Sequence, residues 1–156
     1  MIASASSRKQ RKATFGEYGW IIFFIIGIYF CIWAIHDIFD GVNPQLWSEI
    51  VGQPWRANYL ASLDPSTASL VEFLTAVSGT LTLGLAILVL SISVTGYKKG
   101  EKWSWYAFWI LPIILGLITI LGQTMIGFAF WFIAPIMLVV SLAGLLSSYG
   151  KFFPKK

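Results

Sequence analysis

The sequence predicts an all-α fold, a polytopic membrane four-helix bundle, and three observations predict it. Hydrophobic residues make up 57% of the 156 positions and charged residues 12%, too few polar groups to cover a soluble domain of this size. Four apolar stretches, roughly 18–40, 70–97, 103–122 and 128–149, reach the ~20 residues that carry a helix across a hydrocarbon core. The charges gather between these stretches, and the basic ones alternate from side to side. A single domain over 1–156 is expected.

Orientation follows from the basic residues. Arg8, Lys9, Arg11 and Lys12 precede the first span, Lys98, Lys99 and Lys102 separate the second from the third, and Lys151, Lys155 and Lys156 follow the fourth. The other two loops hold only Arg56. Short loops rich in Lys and Arg stay on the cytoplasmic side, so both termini are expected inside a cell membrane. Asp37, Asp40, Glu49, Asp64 and Glu72 then fall outside. The net charge of +4 belongs beside membrane spans, where it meets anionic lipid. The basic groups are too few and scattered for a nucleic-acid groove, so membrane lipids are the expected contact and nucleic acid is not.

In chain order, the polar segment before residue 15 reads as a tail without a core. Its charge resembles the n-region of a signal peptide, but the apolar run behind it is too long for an h-region, and retention as a first helix is expected. Tyr18 and Trp20 suit the headgroup level of that helix, and Gly41 with Asn43 and Pro44 stops it. The first external loop carries Trp47, Ile50 and Val51, then Trp55, Tyr59 and Leu63, at helical spacing. Two short interfacial helices are predicted, parted at Gly52 and Pro54. Their aromatics either pack on the interface or form a cap or protein-contact surface.

Span two has two start signals: Asp64 before Pro65, and Ser69 with Glu72 in the pattern of a capping box. Inside it Thr75, Gly79, Thr82 and Ala86 form a small-residue stripe suited to close helix contact. Gly96 and Gly100 bound a short turn that forces spans two and three into a hairpin. Pro112 and Pro135 are expected to bend spans three and four and to open space between them. Phe128, Phe130, Trp131 and Phe132 crowd the start of span four, and Ala134, Ser141, Gly144 and Ser148 give it a small-residue surface.

Chemistry-bearing residues are sparse. His36, Asp37 and Asp40 gather at the external end of span one; His36 and Asp40, four apart on one helix face, suit a charge-assisted hydrogen bond, and Glu72 starts the neighbouring span on the same side. His36, Asp40 and Glu72 form a candidate polar or ligand site; a metal site and a proton-transfer site are weaker readings of the same residues. No phosphate loop, paired-cysteine motif or His-Glu-x-x-His pattern occurs, so no catalytic residue, metal or cofactor is assigned. Cys31 is the sole cysteine.

The segment Gly96-Tyr97-Lys98-Lys99-Gly100-Glu101-Lys102-Trp103-Ser104-Trp105-Tyr106 resembles the central hairpin of an uncharacterised family of small four-helix microbial integral membrane proteins. The resemblance spans about residues 70–150, implies the same four-helix fold, and brings no catalytic residues with it. Two functions remain open. One is an accessory or structural subunit that packs against other integral membrane proteins or its own copies. The other is a binder or transporter of a small hydrophobic ligand such as a lipid or quinone.

Overall fold

The computed structural model of the chain describes residues 18–52, 55–125 and 133–154, and these are all helix and short connections. The elements are α1 (Gly19–Val42), α2 (Pro44–Val51), α3 (Trp55–Ala61), α4 (Pro65–Ile92) continued by a π-helical turn Ser93–Tyr97, α5 (Lys102–Ala107), α6 (Ile110–Met125) and α7 (Ile133–Phe152). Four helical stretches, Gly19–Val42, Pro65–Tyr97, Lys102–Leu121 and Ile133–Phe152, are long and apolar enough to cross a membrane. Two shorter helices, α2 and α3, lie between the first two. The chain is an all-α integral membrane protein. In hydrocarbon only an uninterrupted helix satisfies its own backbone, so the β-branched Ile-rich runs that would weaken a water-exposed helix are tolerated here.

Local sequence fixes the ends of the elements. Asn43 accepts from the Leu46 amide at 3.0 Å with Pro44 at the first position of α2, and Gly52 ends α2 at φ 66°, a left-handed residue that glycine adopts without steric cost. Asp64 Oδ1 accepts from the Ser66 and Thr67 amides at 3.1 and 3.0 Å. This cap starts α4 at Pro65, five residues ahead of the boundary expected at 70, so Ser69 and Glu72 lie inside the helix and the predicted Ser69–Glu72 capping box does not form its start. The α5–α6 break falls at Phe108 and Trp109. Pro112 has no amide to offer the Phe108 carbonyl four residues back, and the Leu111 amide takes that acceptor at 3.1 Å. Pro135 lies two residues after the first described residue of α7, and the carbonyl four residues before it, at position 131, is outside the described residues, as is the stretch where the expected bend would fall. The basic tail before Tyr18, Pro54, Phe128, Phe130, Trp131, Phe132, Lys155 and Lys156 lie outside the described residues.

Helices α1 and α4 form the main antiparallel seam. Gly27, Ala34 and Gly41 on α1, and Gly79, Ala86 and Ser93 along α4 and its π turn, recur every seventh residue and are all buried. A seven-residue period keeps one face on its partner as the pair coils. A Cβ added at Gly79 would stand 2.7 Å from Ile38 N and 2.9 Å from Ala34 O, and one at Gly41 would collide with Ala76 N and lie 2.7 Å from Glu72 O. The two backbones are in contact.

The core sits at the end of the molecule that carries the α4–α5 hairpin. Phe23 stacks on Phe108 with centroids 4.2 Å apart, and Tyr97 meets Phe108 at 5.1 Å and Phe152 at 4.7 Å. Ile26, Leu111 and Leu145 complete it. Polar ends of the aromatics find backbone acceptors: Tyr97 Oη donates to Gly144 O at 3.3 Å and Trp105 Nε1 to Leu145 O at 3.1 Å. Lys151 Nζ donates to the carbonyls of Tyr97 and Lys98, both at 3.0 Å. Helix α7 reaches α1 here because the contact residues are small. Gly19 lies against Ser148, and a Cβ at Gly144 would be 3.2 Å from Phe23.

Candidate functional site

Away from the hairpin end, α7 and α6 do not follow α1 and α4 closely, and a cavity of about 1120 Å³ opens between them. Its lower wall is apolar: Phe30 from α1, Leu115 and Ile118 from α6, Met137 from α7. Tyr29 and Trp33 add a strip of aromatic surface on α1, with ring centroids 6.2 Å apart. Trp47 and Val51 of α2 and Tyr59 of α3 border it at the other end. Tyr29 and Asp40, both lining residues, are eleven positions apart on α1, which at 1.5 Å per residue makes the space roughly 16 Å long.

Polar groups concentrate at the α2–α3 end of this space. Arg56, on α3, donates from Nε to Asp40 Oδ2 at 2.9 Å and from Nη2 to Thr75 Oγ1 at 2.9 Å. One guanidinium thereby ties α3 to both α1 and α4, and its fork geometry suits two acceptors at once. Asp40 is 6% exposed; a carboxylate so enclosed requires this partner. His36 Nδ1 lies 3.3 Å from Asp37 Oδ1. The expected His36–Asp40 pair is replaced by two separate pairs: Arg56, sixteen residues away, takes Asp40 with its fixed guanidinium charge, and His36 lies against Asp37.

The arene rings are ordered along the same wall. His36 stacks over Trp33 at 5.7 Å and meets Trp47 edge-on at 5.3 Å, while Trp47 stacks on Phe39 at 5.6 Å. The Trp47 indole Nε1 is buried with no hydrogen-bond partner among the described residues. Below α3 the Asp64 carboxyl is held well under the usual carboxylate range by the Ser66 and Thr67 donors, as a cap that receives several donors should be.

Of the residues singled out in the sequence, His36, Asp40, Trp47, Trp55, Tyr59, Thr75 and Thr82 all line the cavity. Glu72 does not; its backbone faces Gly41 in the α1–α4 seam. Gly79 and Ala86 are buried in that seam, so their close contact is with α1 of the same chain. Asp37, grouped in the sequence with His36 and Asp40, lines the cavity too; Tyr29 and Trp33 were not singled out, and Arg56 was noted only for its charge. Arg56 carried a usable signal, as the lone basic residue in a stretch of acidic ones. Among the described residues no group of three or more His, Cys, Asp and Glu side chains converges as a metal would require.

The chain matches no family model, no curated protein and no solved structure. The likeness of residues 96–106 to the hairpin of small microbial membrane proteins therefore ties it to no particular family.

Proposed function

We propose that this integral membrane protein binds a small amphipathic molecule in the cavity between α1, α4, α6 and α7, beneath α2 and α3. The observation that carries the reading is one partly open space whose long wall is apolar and aromatic and whose hydrogen-bonding groups sit together at one end. Its volume of about 1120 Å³ lies just above the ~300–1,000 Å³ usual for a ligand pocket. Ionisable groups beside apolar membrane helices are costly unless paired or used, and Asp37 and Asp40, near the end of α1, and Arg56, on α3, all border the same space. Helices α2 and α3 act as the cap, and the Lys98, Lys99, Lys102 and Lys151 group at the hairpin end supports a cytoplasmic position for that end. The cavity thus opens toward the opposite face.

Extraction under mild detergent followed by intact-protein mass spectrometry tests this. A retained small molecule at one per chain is expected, and it should be lost in Ser78→Trp, which adds an indole from α4 into the space. Repeated mild preparations that carry nothing would rule out the binding role. An accessory-subunit role has one observation in its favour: Val42, Leu46 and Ile50 expose an apolar face at the α1–α2 corner. Crosslinking in native membranes should then recover one recurrent protein neighbour through that corner.

A further inference from the structure

The charge at the head of the cavity narrows the ligand class, on the premise that the cavity is a binding site. Two carboxylates, Asp37 and Asp40, face a single guanidinium. Arg56 bonds Asp40 and Thr75 at 2.9 Å each, and its single positive charge is offset by the Asp40 carboxylate, which leaves little net attraction for an incoming anion. Asp37 is different. Among the described residues its side-chain hydrogen bond is to His36 at a long 3.3 Å, and its side chain keeps 19% of its surface open. The wall running away from it is Trp33 and then Tyr29, whose π faces attract a cation and repel an anion. The surrounding polar segments add Glu49 and Asp64 and no basic residue besides Arg56, so the local field also draws positive charge toward the opening.

We infer that the cavity accepts a cationic amphiphile, an amine or quaternary ammonium on an apolar body, with the cation beside Asp37 and the body along Tyr29, Trp33 and Met137. An ammonium there meets a carboxylate that is incompletely neutralised and an aromatic surface that needs no hydrogen bond from it. An anionic amphiphile of the same shape meets the same carboxylate and finds the Arg56 charge already offset by Asp40. The apolar contacts are indifferent to the sign of the charge, so the discrimination rests on Asp37 and the aromatic strip alone.

Tetraphenylphosphonium and tetraphenylborate have nearly the same size and shape and opposite charge, which makes them the deciding pair. Equilibrium dialysis of each, labelled, against the full chain in nanodiscs of uncharged detergent-free zwitterionic lipid, with empty nanodiscs subtracted, should give saturable 1:1 binding of the phosphonium. The borate should bind at least about tenfold more weakly, and Asp37→Asn should weaken the phosphonium by about tenfold while leaving the borate unchanged or improved. Ser78→Trp should abolish saturable binding of both. The comparison on the unaltered chain needs no variant to fold. Equal binding of the two ions, or tighter binding of the borate, overturns the cationic preference and leaves the cavity reading intact, provided Ser78→Trp still removes it. Saturable binding of neither ion also overturns the preference. The cavity reading falls as well only if mild extraction recovers no retained molecule.

Discussion

The two ends of this helical assembly use the same kinds of side chain to opposite effect. At the hairpin end Phe23, Tyr97, Phe108 and Phe152 close on one another and are essentially unexposed. At the α2–α3 end Tyr29, Trp33, Trp47 and Tyr59 stand around a space. Aromatic content does not distinguish them; helix approach does. Gly19, Gly144 and Ser148 let α7 lie on α1 near the hairpin, whereas further along the bulkier Phe30, Trp33 and Met137 face the gap. The polar atoms divide in the same way. Tyr97 and Trp105 reach carbonyls of α7, while the Trp47 indole has no acceptor among the described residues. A closed end with satisfied donors favours stability, and an open end with spare hydrogen-bonding capacity leaves room for the ligand proposed above.

If that division holds, substitutions should separate by end, and those in the seam common to both should be the most damaging. Gly79→Leu forces a side chain into Ile38 N and Ala34 O, backbone atoms that cannot yield; folded, monodisperse protein should be lost, as size-exclusion chromatography after extraction would show. Tyr97→Ala should cost about 3–5 kcal/mol, the usual loss for a large buried aromatic, read as a lowered midpoint of unfolding with binding retained in whatever remains folded. An unchanged midpoint would mean that the hairpin end is not the stabilising one.

At the open end the expected penalties are smaller. Asp40→Asn leaves the Arg56 charge without its partner and should cost about 1–3 kcal/mol, moderated by the partly open cavity. Adding Arg56→Gln to it should restore much of the loss, because a neutral pair needs no compensation; a double variant no better than the single one would show that the pair does not act as a unit. The smallest effect belongs to Asp64. Its folded pKa lies below its unfolded value, so its contribution is present at neutral pH and above about pH 4, and fades as pH falls further toward the folded value. Protection of the first-turn amides of α4, the exchange rate of unstructured chain divided by the observed rate at the same pH, should therefore fall below about pH 4 in the unaltered chain. Asp64→Ala should show lower protection at neutral pH and converge with the unaltered chain in acid.

Much of the framework was legible in the sequence. Length and hydropathy marked the four membrane-length helices, and helical spacing of Trp47 to Val51 and of Trp55 to Leu63 marked α2 and α3. The Asp64–Pro65 start was visible as well, although Ser69 and Glu72 offered a rival signal that the structure does not use as the start. Long-range pairing was not legible. The spacing of His36 and Asp40 advertises a local bond, and nothing local announces that Arg56 will fold back onto Asp40. The stripe on α4 was visible at spacings of three and four, yet the seam uses every seventh residue, and the matching Gly27, Ala34 and Gly41 on α1 are needed to see it. A cavity depends on where two helices part, which hydropathy does not encode.

The Tyr97 hydroxyl donates to a carbonyl 47 residues further along the chain. During synthesis at ~5–20 residues per second, about 2–9 s pass between making the donor and making its acceptor. Throughout that interval α1 and α4 can already zip together through their small residues, while a phenol and an indole wait without partners beside the membrane. Until α7 arrives, the nascent protein is a half-built hairpin pair whose phenol and indole donors lack the α7 carbonyls that later receive them.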